Sequence, residues 1–383
     1  VASTPGDGGP TPVAPPRPGV LASLTDHHVL VALRDAAGPI SRAEVAAATG
    51  LSKPAVSTSA ARLLERGLVH EVGVRTGRRG GVATLVQINA SRGHSLALSV
   101  QPGALEVEAR ALDGAVLATA TTPLGPEAGR AAVVEGLRTA VVEVEAAAGS
   151  PLLATAVSLA GPVDARTGVL LDLEREAFRA GHLDPREVLP PEATDCLVVD
   201  NDVNWAAVHE HRSGAARGVD DVVYVYVGAG IGAALLLGGR LYRGRGGLGG
   251  EIGYLRSTRS LDLTQALGHC GIGRADQYGL DLAAVERLLA APELTEQARE
   301  VVDLVVTAVV NLTVALNPSA LLVAGPWTRH EVLLTELGGA LERFCLDPPE
   351  VATAPFSPLG GAGAEAHRLA CQRVGLPAAA ELA

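Results

Sequence analysis

The chain has 383 residues, of which 48% are hydrophobic, 19% charged and 3% aromatic, with a net charge of −11. That length exceeds one ordinary core and predicts two or three domains, and the composition reads as a soluble globular protein built from Ala, Val and Leu. A membrane protein is excluded on this reading, because the longest apolar run, Val301 to Leu316, is broken by Asp303, Thr307, Asn311 and Thr313. The four cysteines, Cys196, Cys270, Cys345 and Cys371, form no C-x-x-C pair and suit a reducing cytoplasm.

Residues 1–20 are rich in Pro, Gly and Ala and carry no apolar run, which predicts a disordered tail and no signal peptide. Residues 21–92 hold nine basic and five acidic side chains, so a basic head precedes a strongly acidic body. A basic head attracts nucleic acid, and an acidic body repels it.

A supporting helix is expected over about Leu24 to Ala36. Ser41 and Glu44 have capping-box spacing, so a short helix should follow and end at Gly50. Ser52 caps the next helix, with Pro54 in its first turn and Gly67 as its stop. Val56, Ala60, Leu63 and Leu64 should face the core. Ser52, Lys53, Ser57, Thr58, Ala61 and Arg62 fall on the other side, where small hydroxyls and cations suit a major groove. Strands are expected at Leu68 to Val72 and Ala83 to Ile88. The basic loop between them, with Arg75, Arg78 and Arg79 on or beside it, reads as a wing. Capping box, glycine turn, polar helix and basic hairpin in this order make residues 21–90 a winged helix-turn-helix.

Beyond residue 93 short strands alternate with helices. Strands are expected at 95–99, 104–111, 116–122 and 152–159, then again at 222–227, 231–237 and 320–324. Asp113-Gly114 has the form of a two-residue hairpin turn. Helices are expected at 126–148, 281–290 and 293–316. Strands, helix, strand, then the same again, predict an α/β body of two similar lobes, 91–212 and 213–383, about a cleft.

Five segments carry a resemblance. They are Val199-Asp200-Asn201-Asp202-Val203-Asn204, the glycine-containing run Val222 to Gly232, Gly238 to Gly244, Gly250-Glu251-Ile252-Gly253, and Asn317 to Gly325. With Ala160-Gly161-Pro162-Val163-Asp164 they resemble the ROK family of repressors and sugar kinases, over about residues 21–375. The resemblance implies an actin/hexokinase-like, ribonuclease H-like body behind the winged helix, with a C-terminal helix that packs back on lobe 1. It places the kinases' general base at Asp202 and sugar-binding groups at Gly161, Asn201 and Glu251, with position 254, a histidine in relatives, filled by Tyr254. Asn201 and Asp202 also have the chemistry of simple helix caps.

The phosphate-binding elements of the family's kinases are altered. Their Asp-x-Gly-Gly-Thr turn corresponds to Ser99-Val100-Gln101-Pro102-Gly103, where Pro102 lacks an N–H. The second loop reads Gly228-Ala229-Gly230-Ile231-Gly232 without its hydroxyl, and the third glycine pair is Gly325-Pro326. The zinc pattern keeps only Cys270, with His269 beside it. These departures predict a non-enzymatic regulator with no cofactor and no metal. Its partners would be a double-stranded DNA operator and a sugar or related effector, and it would be a homodimer or dimer of dimers. A sugar kinase with a DNA-binding head, and a ligand-independent regulator taking its signal from a protein, are the alternatives.

Overall fold

A computed structural model describes residues 18–76, 82–125, 128–171, 182–258, 260–275, 278–290 and 294–377. The chain divides into two compact units, a head up to Arg92 that also takes in Val374–Pro377, and a body, Gly93–Arg373. Among the described residues no helix is long and apolar enough to cross a membrane.

The head is three helices and a three-stranded sheet. Helix α1 (Pro18–Asp35) starts earlier than the sequence suggests and overlaps the expected tail, the rest of which lies outside the described residues. Strand β1 (Ile40–Ser41) leads into α2 (Arg42–Thr49), and α3 (Lys53–Glu65) follows. Strands β2 (Val69–Thr76) and β3 (Val82–Ile88) form the hairpin, and the sheet order is β1-β3-β2. The caps act as the sequence requires. Ser41 Oγ accepts from Glu44 N–H, and Glu44 reaches back to Ser41 N–H at 2.7 Å. Gly50 closes α2 with φ 71°, a conformation glycine enters without a Cβ clash. We expect Ser41→Ala to cost about 1 kcal/mol in chemical denaturation, because it leaves first-turn N–H groups unsatisfied. Val56, Ala60 and Leu63 are buried as expected, and Ser59, on the same face, is buried too.

The body contains two five-stranded sheets of one topology. The first is built from β4 (His94–Gln101), β5 (Ala104–Ala111), β6 (Val116–Pro123), β7 (Leu152–Leu159) and β8 (Leu197–Asn201), in the order β6-β5-β4-β7-β8. Helix α4 (Arg130–Ala148) covers it, and a single turn, α5 (Pro191–Thr194), precedes β8. Helix α6 (Asp202–Ser213) then leads to the second sheet. That sheet takes β9 (Val222–Val227), β10 (Ile231–Leu237), β11 (Arg240–Leu241), β12 (Ala320–Ala324) and β13 (Glu350–Thr353), in the order β11-β10-β9-β12-β13. Helices α7 (Leu263–Leu267), α8 (Leu282–Leu289), α9 (Glu296–Leu316) and α10 (Glu331–Phe344) accompany it, and α11 (Pro358–Val374) ends the described chain. In each sheet three strands run antiparallel and two more are added in parallel.

The turn at Asp113-Gly114 is longer than a two-residue hairpin. Ala111 N–H bonds to Ala115 O, and the β5–β6 register shifts between Ala109 and Arg110. The bulge absorbs the extra residue. By contrast, Pro102-Gly103 makes a tight two-residue turn: Gln101 pairs directly with Ala104, and Gly103 has φ 98°.

Helix α6 packs between the sheets because its faces are small. Val203, Ala206 and Ala207 pack on Tyr224, Ala234 and Leu322 of the second sheet. Trp205 packs with Ala97 and Ala156 of the first sheet and with Ala362 and Ala366 of α11. Its indole N–H donates to Val157 O at 2.9 Å, so the one polar atom of this buried ring is satisfied. This packing fixes the N-terminus of α6 between the lobes.

Candidate functional site

The N-terminus of α6 opens on a cleft of about 140 Å³. Asn201 is the helix cap: its Oδ1 accepts from Val203 N–H at 2.9 Å and Asn204 N–H at 3.4 Å, and its Nδ2 donates to Gly161 O at 2.9 Å. Much of the hydrogen-bonding capacity expected to meet a ligand is therefore spent on the fold, and the Gly161 carbonyl is committed with it. Asp202 and Glu251 are the less committed acceptors. Asp202 takes its hydrogen bond from Val203 N–H through Oδ1 and is only 8% exposed. Burial pushes its carboxyl up to about 6, and neighbouring donors, Gln101 first, only partly oppose this. Burial, then the Asp202 charge, pushes Glu251 up to about 7. Two acids near neutrality in one cleft can accept from hydroxyls, or donate when protonated.

Three contributors have no local sequence signal. Gln101 lines the cleft, and its amide counters the burial of Asp202, although its Nε2 makes no well-formed bond within the described chain. Tyr226 also lines the cleft, and burial with the Asp202 charge raises its phenol to about 12. Asp200 ties the lobes together. Its Oδ1 accepts from Asn204 Nδ2 at 2.7 Å, and its Oδ2 from Arg243 Nε at 2.7 Å. Arg243 follows β11 of the second sheet, whereas Asp200 lies in the last two residues of β8 of the first.

Tyr254 is not part of the cleft lining. Its ring stacks on Tyr278, 5.7 Å away and 20° from parallel, which draws it aside. His269 Nδ1 is bound to Gln265 O at 2.9 Å, and burial, then Glu300, raises the Cys270 thiol. Among the described residues no three His, Cys, Asp or Glu side chains come together around a metal position.

The three phosphate-loop positions are each held by local packing and hydrogen bonds. Pro102-Gly103 is the tight turn described above. At the second, Gly228 N–H folds back to Gly230 O and the Ala229 carbonyl accepts from Leu280 N–H. At the third, Gly325 packs so closely that a Cβ would lie 2.3 Å from Val227 O, and Pro326 offers no N–H.

On the head, Ser52, Lys53, Ser57 and Thr58 are exposed along one face of α3. Arg62 departs from the expectation. Its guanidinium binds Asp26 of α1 at 2.6 Å, Ser59 Oγ donates to the same carboxylate at 2.5 Å, and Asp26 is buried. A buried carboxylate requires such partners, so Arg62 braces α3 against α1. Arg75 is exposed but donates to Glu44 at 2.7 Å and to Pro39 O. Arg78 and Arg79 lie outside the described residues.

A winged helix and a two-lobed actin/hexokinase-like body define the class. A family model described as the ROK family matches residues 98–360, and one described as the MarR family matches residues 23–80. The chain belongs to the ROK family and carries a MarR-type winged helix at its N-terminus. It is 24% identical over 57% of its length to the xylose repressor of Bacillus subtilis, and 27% identical over 71% to the DNA-binding transcriptional dual regulator NagC of Escherichia coli. It spans 56% and 66% of those relatives. The glucokinase of Streptomyces coelicolor is 29% identical over 52% of the chain and 62% of that enzyme. Among solved structures, a ROK family transcriptional regulator described as a homologue of the E. coli MLC protein shares the fold, with a TM-score of 0.63, 20% identity, and coverage of 93% of this chain and 99% of that one.

Proposed function

We propose that this protein is a DNA-binding transcriptional repressor whose body senses a neutral sugar or related polyol without phosphorylating it. The Pro102-Gly103 turn carries the reading. Where a kinase needs backbone donors around phosphates, this chain has a two-residue hairpin ending in Gln101, beside an otherwise intact pair of carboxylates. The repressor names of the xylose repressor and NagC, and the exposed polar face of α3, support the DNA-binding half. On this reading a homodimer sets two winged helices on a pseudo-palindromic operator, and a ligand between the lobes shifts affinity by favouring one state.

The cleft lining supports a ligand without a phosphate. Among the described residues it contains Asp202 and Glu251 but no Arg, Lys or His. A dianionic phosphate would meet two carboxylates there with no counter-charge. In fluorescence anisotropy on a labelled fragment from upstream of the protein's own gene, we expect specific binding about a thousandfold tighter than to a shuffled fragment. Unphosphorylated monosaccharides should change it, and their phosphates should not act through the cleft. Equal, salt-sensitive binding to both fragments would reduce the head to a nonspecific basic surface.

The second reading, a sugar kinase with a DNA-binding head, draws on the retained Asp202 and Glu251 and on the likeness to a glucokinase. Sugar-dependent ADP release in a coupled assay would establish it and overturn the first.

A further inference from the structure

A second cavity, of about 310 Å³, has the opposite character. It is bounded by the end of α6, by α11 and by the β5–β6 turn, and its lining includes Arg110, His209, Arg212, His367 and Arg368. The carboxylates that hold these arginines are not in the lining. Glu365 binds Arg212 at 2.5 Å and Arg368 at 2.8 Å, and Glu108 binds Arg110 at 2.6 Å. Burial alone would raise Glu365, but Arg368 and Arg212 hold it down at about 2, so it stays a fixed anchor. His367 is committed to Leu112 O, and burial lowers its pKa. Asp113 is the remaining acid close enough for its charge to reach His367.

Two polar atoms are left over. Arg212 Nη1, a donor, and His209 Nδ1 are both buried and have no hydrogen-bond partner among the described residues. They lie three residues apart on α6, so one helix face presents both. Buried polar atoms are seldom left unpaired, because each one gives up its hydrogen bonds to water without replacement. Gly360, in the first turn of the 17-residue α11, also lines the cavity. First-turn N–H groups lack intrahelical acceptors and carry the positive end of the helix dipole. A Cβ at Gly360 would lie 3.0 Å from His209 Nδ1, so glycine is what lets this nitrogen approach the helix end.

We propose that this cavity binds a small phosphate-bearing anion. Guanidinium forks anchored from behind, a spare imidazole nitrogen and a helix N-terminus together match a tetrahedral group with several acceptor oxygens. A dianion is needed to compete with the resident carboxylates, and the volume admits a sugar phosphate or free phosphate. The same α6 that starts at Asp202 in the acidic cleft ends at this cavity, so the two sites lie about 15 to 18 Å apart along one helix.

The test is calorimetric titration of the full chain with inorganic phosphate, in chloride buffer of matched ionic strength. Saturable binding is expected, weakened about tenfold or more in Arg212→Gln. Because that variant also strips Glu365 of a partner, Ala364→Glu is measured beside it. It sets a carboxylate at the cavity wall without removing any side chain of the existing ion pairs, and it should lose phosphate binding while keeping the wild-type thermal midpoint in chloride. No saturable uptake up to about 20 mM phosphate, or wild-type affinity in both variants, overturns the proposal.

Discussion

Asp202→Ala is expected to abolish the effector response while leaving operator affinity in the absence of effector unchanged. Asp202 is the buried acceptor at the start of α6, in the body, and the residues proposed to face DNA lie on α3, in the head. In anisotropy titrations the variant should bind DNA as tightly as the wild type and ignore any sugar that releases the wild type. Retained sensitivity would remove Asp202 from the site.

The same residue should mark the pH dependence of stability. Its folded pKa of about 6 exceeds the ordinary 3.8, so the folded state holds this proton more tightly than the unfolded one. Stability from this group is therefore full at acid pH and is lost as pH rises through about 6. Glu251, raised to about 7, acts with the same sign. Asp202→Asn removes the burial cost of the charge. It should stabilise the protein at about pH 8 by roughly 2 kcal/mol and flatten the decline between about pH 4 and 6. An unchanged pH profile of urea midpoints would mean that Asp202 is solvated.

Arg62→Ala is expected to destabilise the head by roughly 2 kcal/mol, since Asp26 would remain buried with only Ser59 to bind it. Lys53→Ala should leave stability alone, weaken operator binding about tenfold and make its salt dependence shallower by about one ion. The two cations lie on one helix, and denaturation separates their roles. If Arg62→Ala lost DNA affinity at unchanged stability, Arg62 would be a contact and not a brace.

These contrasts show what was legible in the chain. Ser41 with Glu44, Ser52, Gly50 and Gly67 act within a turn of themselves, so their spacing states their roles. Seven of the ten strands of the two sheets follow from short β-branched and apolar runs, whereas β8, β11 and β13 are short strands that the pattern does not announce. Arg62 looked like a DNA contact because its partner, Asp26, stands 36 positions earlier, and helical periodicity reports a face but not what covers it. Asp200 and Arg243 are 43 positions apart and meet only because the two sheets flank α6. The Asn201 amide could be read as a cap or as a ligand group, and the cap is what the backbone demands. Tyr254 was assigned to the cleft by position alone, and the stacking on Tyr278 that displaces it has no linear signature.

The Pro102-Gly103 hairpin bears on how a signal is kept. A sensor that phosphorylated its sugar would erase the message in reading it, and its output would follow the rate of supply. On the proposed reading, a cleft closed to the phosphate donor returns each molecule unchanged. Occupancy then tracks concentration at equilibrium, needs no fuel, and persists as long as the sugar does.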